Sequence, residues 1–465
     1  MAFVFYDTET TGLETAFDQI LQFGAIRTDD DLNEVERINV RCRLLPHVVP
    51  SPGALLATGI RPATLVDPSL PSHYEAIQQI RAKLLEWSPA IIIGYNSLDF
   101  DENFLRQALF QTLHPTYLTN TNGNVRGDVM RMVMATAIYA PNAISVPIND
   151  RGRDIFKLDQ LAPANGFAHD HAHDAIADVE ATIHMARLVR DRAPEIWDTM
   201  MGATRKQDVS ELIMSEPMFA HTAVYHASPY TYLVTCCGQN PQDNGQLAVF
   251  DLAFDPEPYL DNSVEELVGV LEGSPKPIRS IRANAQPILM SSEHLPDSAK
   301  AAGVDGAERQ RRVEVIQGNP GFRERVGEAL AARYADEPPS PHVEKRIYDG
   351  FPSSSDQALL QQIHEMPWED RAAVVDQLED DRLKEFGTRL IYFDQPEALP
   401  EAKRAELDDW RARRVLGEGE DVPWMTIPKA IQEVDKSSAS AVGEKAERLS
   451  EMREFFEELA DQFGP

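Results

Sequence analysis

The chain has 465 residues, 43% hydrophobic and 26% charged, which suits roughly two to four cored domains rather than a disordered polymer. Acidic residues outnumber basic ones 75 to 44, for a net charge of -31; this argues against a broadly basic nucleic-acid surface, because Lys and Arg make the contacts that displace counterions from phosphate. No stretch approaches the ~20 apolar residues that span a bilayer, no basic-then-apolar leader opens the chain, and the three cysteines (Cys42, Cys236, Cys237) give neither a disulfide framework nor a zinc spacing, so a cytoplasmic protein is expected.

The opening segment MAFVFYDTETTGL reads as a buried strand whose alternation puts Phe3, Phe5, Asp7 and Glu9 on one face and Thr8 on the other. Two carboxylates leaving a strand end together can hold a hard divalent cation; Asp7, Thr8 and Gly12 also suit a plain turn. ILQFGAIRT and INVRCRLLP read as further strands, AIQQIRAKLLEW as a helix, and AIIIGYN as a buried strand. In the following SLDFDENFLRQALFQTL, Asp99 is the expected N-cap of a helix and Glu102 its capping-box partner. Asp101 falls in the first turn, favoured there by the helix dipole and free to reach a metal.

HDHAHDAIADVEATIHMARLVRD reads as a helix from Ala175, with Ala175, Val179, Ile183, Ala186 and Leu188 on its apolar stripe. Asp174 and Asp178 are one turn apart, and the small residues around Asp178 permit close packing on a sheet. His173, five residues before Asp178, is placed to take a proton from water over that carboxylate; the alternating His169, His171 and His173 also suit a solvated turn or an adventitious metal tract. From about residue 198, AHTAVYHA, TYLVTCCG, LAVFDLAF and PIRSIRANA are short alternating segments of a β-rich unit, followed by helical spacing over 307–334. DEPPSPHVEKR suits an extended connector. SDQALLQQIHEM, DRAAVVDQLEDDRLKEFGTRLIYF, EAKRAELDDWRARRVL and EKAERLSEMREFFEELADQF then predict a helical final third.

Asp7, Glu9, Asp101 and Asp178 each abut an apolar segment of one sheet-centred core. Four converging carboxylates repel unless cations sit among them, and an all-oxygen set favours Mg2+ or Mn2+ over zinc. Two ions roughly 3.5–4 Å apart would stabilise the attacking and leaving oxygens of phosphodiester hydrolysis, with His173 as general base.

The order DxE, an Asp near residue 100 and a closing HxxxxD resembles the histidine-containing subclass of the DEDD exonuclease superfamily. FYDTETTG, QFGAIRTD, PGALLATGI, GYNSLDFDE, KLDQLAPANG, AHDAIADVEATIHMARLV, NPGFRERV and RIYDGFPSSSD are together similar to the bacterial exodeoxyribonuclease I family. The resemblance implies an α/β ribonuclease-H-like exonuclease domain over 1–197, an SH3-like β-rich domain with a helical extension over 198–340, and a helical C-terminal domain over 341–465. It implies removal of 5'-mononucleotides from the 3' end of single-stranded DNA, in DNA repair and recombination, using two Mg2+ ions for which Mn2+ can substitute. By position it makes Asp7, Glu9, Asp101 and Asp178 metal ligands and His173 the base. It puts Glu9, Thr10, Leu13 and Asn96 at the substrate and gives Asp128 a supporting role; Asp99 has no catalytic counterpart.

Family members dock the acidic tail of single-strand DNA-binding protein in an apolar pocket with a basic rim. Phe219, Pro296 and Gln317 stand where that rim is expected, with Arg309, Arg311 and Arg312 as basic neighbours that also suit a solvated helix face. Arg205, Lys206, Lys276, Arg279 and Arg282 are candidates for a local basic groove, and Tyr225, Tyr230 and Tyr232 for stacking on bases or for core packing. A monomer is expected. A ribonuclease or proofreading-type exonuclease, and a non-catalytic DNA-binding repair scaffold, remain as alternatives; the roughly 270 residues beyond the first domain argue against the former.

Overall fold

The computed structural model of the chain describes residues 2–169, 173–226, 228–333, 338–417 and 421–463. His171 and residues 336 and 337 of the expected connector lie outside them. Among the described residues no helix is long and apolar enough to cross a membrane.

The first sheet contains β1 (Phe3–Thr10), β2 (Ile20–Thr28), β3 (Glu34–Arg41), β4 (Ile91–Gly94) and β5 (Val125–Asp128), in the order β3-β2-β1-β4-β5. β1 to β3 form an antiparallel meander; β4 and β5 add parallel to β1. Central strands in such a sheet are buried on both faces, so they read as continuous apolar runs. Val4, Tyr6 and Ile92 pack beneath the helices His73–Glu86 and Asp101–Gln111. Phe3, Phe5 and Ile93 pack beneath Val129–Tyr139 and Ala175–Arg192. Edge strand β3 alternates exposed and half-buried residues and begins at Glu34, earlier than INVRCRLLP suggested.

One glycine sets how closely the last of these helices sits on the sheet. Gly24 of β2 pairs with Asp7, and a Cβ on it would lie 2.8 Å from the backbone carbon of Ala175 and 2.9 Å from the nitrogen of Ile176. The start of Ala175–Arg192 therefore rests on bare backbone. Asp174 caps that helix, accepting from Ile176 N at 3.2 Å and Ala177 N at 3.4 Å. Its other oxygen accepts from Gln22 at 3.0 Å and Arg41 at 2.9 Å, tying the helix start to β2 and β3.

The second sheet is wholly antiparallel, in the order β10-β6-β7-β8-β9, from β6 (Phe219–Tyr225), β7 (Ser228–Gln239), β8 (Gln246–Asp251), β9 (Ile278–Arg282) and β10 (Ile288–Ser291). Two helices, Pro194–Gly202 and Lys206–Ser215, precede it where the sequence suggested β structure from about 198. Its register slips between Cys236 and Gly238. There Gly238 and Gly327 let β7 and the helix Pro320–Ala332 touch backbone to backbone, since a Cβ on Gly327 would lie 2.4 Å from the carbonyl oxygen of Gln239. All three cysteines are free and buried.

The final third is helical, but DRAAVVDQLEDDRLKEFGTRLIYF is two helices, Trp368–Val375 and Asp381–Asp394, the second capped by Asp380. These helices complete cores begun in the first domain: Tyr74, Phe110 and Leu113 share a cluster with Phe386 and Leu390, and Leu21, Leu55 and Leu65 share one with Ile427, Leu449 and Phe456. Phe17 is seated between His342 and Trp424, with ring centroids 5.7 and 5.3 Å away. Behind Trp424, the guanidinium of Arg414 lies 4.4 Å from the ring centroid. Arg414 and Arg389 both pair at 2.8 Å with the buried carboxylate of Glu344.

Gly24→Ala is expected to lift the start of Ala175–Arg192 off β2, costing about 1–3 kcal/mol as an overpacking substitution. A urea titration of both proteins measures it; an unchanged midpoint would mean that the helix does not depend on that contact.

Candidate active site

β1 is longer than its parallel partner. Its pairing with β4 spans Phe3 to Phe5, so Asp7 and Glu9 project beyond the end of β4, where β1 continues beside β2 alone. Side-chain alternation sends them toward the helix Ala175–Arg192, because Phe3 and Phe5 on the same face pack against it. Asp178, in the first turn of that helix, meets them. One carboxylate oxygen from each of Asp7, Glu9 and Asp178 lies within 4.8 Å of the others. Glu9 is buried and the other two half-buried.

Asp101 approaches from the other face of β1. Its Oδ1 accepts from the backbone N of Thr8 at 2.9 Å and from Thr8 Oγ1 at 2.5 Å. Thr8 does face away from Asp7, as the alternation predicted, and that is how it reaches Asp101. Asp101 stands outside the three-carboxylate group, yet its charge is felt there.

Electrostatics describe a site short of positive charge. Burial, then Asp101, Asp178 and Glu9, hold the Asp7 carboxyl well above the usual range. Burial, then Asp178 and Asp101, push Glu9 up to about 9, with Arg41 opposing. Burial pushes Asp101 up to about 7 against the bonds from Thr8. Burial also raises Asp178, against His169 and His173. Buried carboxylates this close either hold protons or share a cation, and three oxygen donors suit a hard divalent ion. The residues present therefore fit a divalent metal.

The histidines are arranged differently from the expectation. Nε2 of His169 lies 2.8 Å from Asp178 Oδ1, and its side chain is buried. His173 is exposed, adopts φ 68°, and reaches Asp178 through its backbone N at 3.3 Å. The ring within hydrogen-bond distance of Asp178 is thus that of His169. The three alternating histidines signalled that one would face the site, but their spacing does not tell which.

The expected cap at Asp99 is also corrected. Phe100 is the N-cap of Asp101–Gln111 and makes no side-chain cap bond; Asp99 pairs with Arg131 at 2.8 Å. Glu102 closes no capping box. It is buried, accepting from Arg106 at 2.7 Å, Arg126 at 3.1 Å and Thr119 at 2.7 Å, and its i,i+4 spacing to Arg106 was the available signal. Asp128 caps Val129–Tyr139 and accepts from the backbone N of Asn96 at 2.9 Å and of Leu98 at 3.2 Å. It holds the segment that leads from β4 to Asp101. Asn96 itself has φ 61°. Thr10 is buried and donates to the carbonyl of Gly12 at 2.7 Å, shaping the turn from which Leu13 projects, 80% exposed.

Several groove candidates are already engaged. Arg279 lies 3.5 Å from the ring centroid of Tyr232 and donates to Tyr225 Oη at 2.9 Å. Lys206 donates to Asn244 at 2.7 Å, and Arg205 is 3.7 Å from Asp208. Arg282 is exposed and Lys276 half-buried. Tyr225 and Tyr230 are exposed neighbours, ring centroids 6.0 Å apart. Phe219 is buried in β6, Pro296 is half-buried, and Gln317 reaches Thr235 Oγ1 at 3.4 Å. Arg311 is shared among Glu308, Asp255 and Glu257, and Arg312 binds Glu308 and the carbonyl of Leu252. Both arginines belong to a salt-bridged helix face; Arg309 lies on the same helix.

The chain matches the Exonuclease family over residues 4–186, the Exonuclease I SH3-like domain over 204–332 and the Exonuclease I C-terminal domain over 341–459. It is 30% identical over 374 residues to exodeoxyribonuclease I of Escherichia coli, covering 77% of this chain and 78% of that protein. It is 28% identical over 435 residues to the Haemophilus influenzae exodeoxyribonuclease I, covering 89% and 90%. Among solved structures, it superposes on E. coli exonuclease I in complex with a dA16 oligonucleotide with a TM-score of 0.87, at 26% identity and over 98% and 99% of the two chains. Exonuclease I from Methylocaldum szegediense superposes with a TM-score of 0.86, at 27% identity and over 99% of each chain.

Raised carboxyl pKa values make the metal-free fold pH-sensitive. Between the ordinary carboxylate value near 4 and the value of about 9 for Glu9, the folded protein holds protons that the unfolded chain has released. Its stability must therefore fall as pH rises through that window. Thermal melts from pH 5 to 8 in a chelator are expected to show a falling Tm, and saturating Mg2+ or Mn2+ to flatten it; equal slopes would mean that these carboxylates do not hold the ion.

Proposed function

The chain belongs to the exodeoxyribonuclease I family, and on that premise we propose that it removes 5'-mononucleotides from the 3' end of single-stranded DNA, as a monomeric cytoplasmic enzyme of DNA repair and recombination. The observation that carries the reading is the group of three carboxylate oxygens within 4.8 Å at the open end of β1, with Asp101 against the adjacent Thr8.

Asp7, Glu9, Asp178 and Asp101 would hold two Mg2+ ions, or Mn2+ in their place; bound there, the ions supply Lewis-acid stabilisation of the attacking and leaving oxygens. The chain's own groups do the rest. Thr8 orients Asp101. Gly24 lets Asp178 come level with Asp7. His173, next to the Asp174 cap, takes the proton of the attacking water as general base. Leu13 offers an apolar face to the terminal base, and Thr10 and Asn96 shape the two lips of the cleft. Asp128 supports the Asn96 lip. His169 is a second reading for the base, favoured by its 2.8 Å approach to Asp178.

The acidic total is compatible with a DNA substrate because the strand needs only local charge. Arg282, Lys276 and Arg205 supply it, with Tyr225 and Tyr230 as a sequence-tolerant stacking pair. Single-strand DNA-binding protein is proposed as a partner, although the basic rim expected at Phe219, Pro296 and Gln317 is absent there.

Asp7→Asn is expected to abolish release of mononucleotides from a 3'-labelled oligonucleotide in Mg2+, while the metal-free Tm holds or rises, because a neutral amide replaces a carboxyl whose ionisation its neighbours oppose. Near-normal turnover would place the chemistry elsewhere. Between the histidines, His173→Ala is expected to lower kcat by about 10²–10⁴ and His169→Ala far less. The opposite ranking would assign the proton transfer to His169.

A further inference from the structure

The turn between β9 and β10 belongs to the SH3-like sheet, yet three consecutive residues in it are bonded to the exonuclease domain. Gln286 is 1% exposed and has φ 44°. Its Oε1 accepts from the backbone N of Asp128 at 2.6 Å, and its Nε2 donates to the carbonyl of Met200 at 3.0 Å. The carbonyl of Ala285 accepts from Arg131, whose other nitrogen donates to Asp99 at 2.8 Å. The carbonyl of Asn284 accepts from Arg126 at 3.2 Å, and Arg126 donates in turn to buried Glu102 at 3.1 Å.

All three bridges end on one segment. Asp128 holds the amides of Asn96 and Leu98; Asp99 and Glu102 flank Asp101. Residues 96–102 are otherwise tied by Thr8 to Asp101, by Arg106 and Thr119 to Glu102, and by turn bonds from Asp99 N and Phe100 N to the Asn96 carbonyl and from Glu102 N to the Ser97 carbonyl, but the backbone there is irregular. The helix that starts at Asp101 has no side-chain cap, its N-cap Phe100 has a non-helical backbone at φ -125°, ψ -79°, and Asn96 is left-handed. An irregular segment of this kind takes part of its shape from the neighbouring elements it is bonded to, and Asp128, Arg131 and Arg126 connect it to the 284–286 turn.

We propose that the turn at residues 284–286 is a positioning element for the reaction: docking of the SH3-like domain, through Gln286, Arg131 and Arg126, sets the 96–102 segment and with it the placement of Asp101 and the Asn96 lip. The catalytic half of this inference rests on the reading of Asp101 and Asn96 given above; the structural half does not. Gln286, Arg126 and Arg131 are positioning residues, acting through Asp128, Glu102 and Asp99.

The test is Gln286→Met, which keeps the volume and removes both hydrogen bonds, in the full-length protein. In chelator, amide hydrogen exchange at Asn96 and Leu98 is expected to accelerate at least about tenfold while amides of β7 and β8 hold their rates. In Mg2+, kcat on single-stranded DNA is expected to fall about 10- to 100-fold, as for a small misplacement of a reacting group, with KM little changed. Unchanged exchange at Asn96 and Leu98, or unchanged kcat despite faster exchange there, overturns the proposal. Should Gln286→Met lose protection throughout β7 and β8 as well, Arg126→Lys, which keeps a charge for Glu102 but cannot bridge to Asn284, decides by the same two readouts. Wild-type protein that releases no mononucleotides would defeat the functional reading, while the exchange measurement would still decide whether the turn orders the segment.

Discussion

Mutual repulsion among Asp7, Glu9, Asp178 and Asp101 is the constraint around which the rest of the molecule is arranged. Left to themselves, carboxylates this close would move apart or keep their protons. They stay because each is held by a rigid element: Asp7 and Glu9 by a strand buried on both faces, Asp178 by a helix resting on the bare backbone of Gly24, and Asp101 by the two hydrogen bonds from Thr8. Fixed donors that cannot relax away from one another make a site pre-organised for a divalent cation.

The two other domains each press on elements that frame that arrangement. From the SH3-like side, the turn at residues 284–286 is bonded to the frame of the 96–102 segment. From the C-terminal side, His342 and Trp424 enclose Phe17, in the loop that also carries Leu13. The buried Glu344 with Arg389 and Arg414 lies behind that enclosure. Such a triad is weak as a source of net stability but costly to break by removing one member, about 3–5 kcal/mol. It also reaches the enclosure itself, since Arg414 lies 4.4 Å from the ring centroid of Trp424 and 5.5 Å from that of Phe17.

How much of this was legible depended on whether a feature is local. β2 was read from its apolar run over ILQFGAIRT, β1 from FVFYD although the strand runs three residues further to Thr10, and the helix Ala175–Arg192 from its apolar stripe, its Asp174 cap going unread. β10 was missed, having only four residues after Pro287 and partners far away in sequence. Pro194–Gly202, Lys206–Ser215 and Ile427–Ser438 are helices the alternation-based reading passed over. The break at 376–380 needed the Asp380 cap to be recognised inside an unbroken charged run. Within the site, the three carboxylates that meet were all anticipated from spacing. The cap assigned to Asp99 failed because Arg131, across the fold, takes that carboxylate instead, and a rival long-range partner is invisible in one sequence. Gln286 gave no signal, because a buried carboxamide at a positive φ is defined only by what surrounds it.

Phe17 also bears on how such a protein can arise and be rearranged. A domain joined to its neighbour by a linker can be cut out, duplicated or fused elsewhere with its surface intact. Here Leu21, Tyr74, Phe110 and Phe17 of the first domain are all covered by side chains from residues beyond 340. Excised alone, that domain would present several large apolar faces to water and would lose the packing around Phe17 in the loop that carries Leu13. The three units are therefore a single inheritance: a lineage keeping this version of the nuclease must also keep its C-terminal helices or evolve a new apolar cover for them.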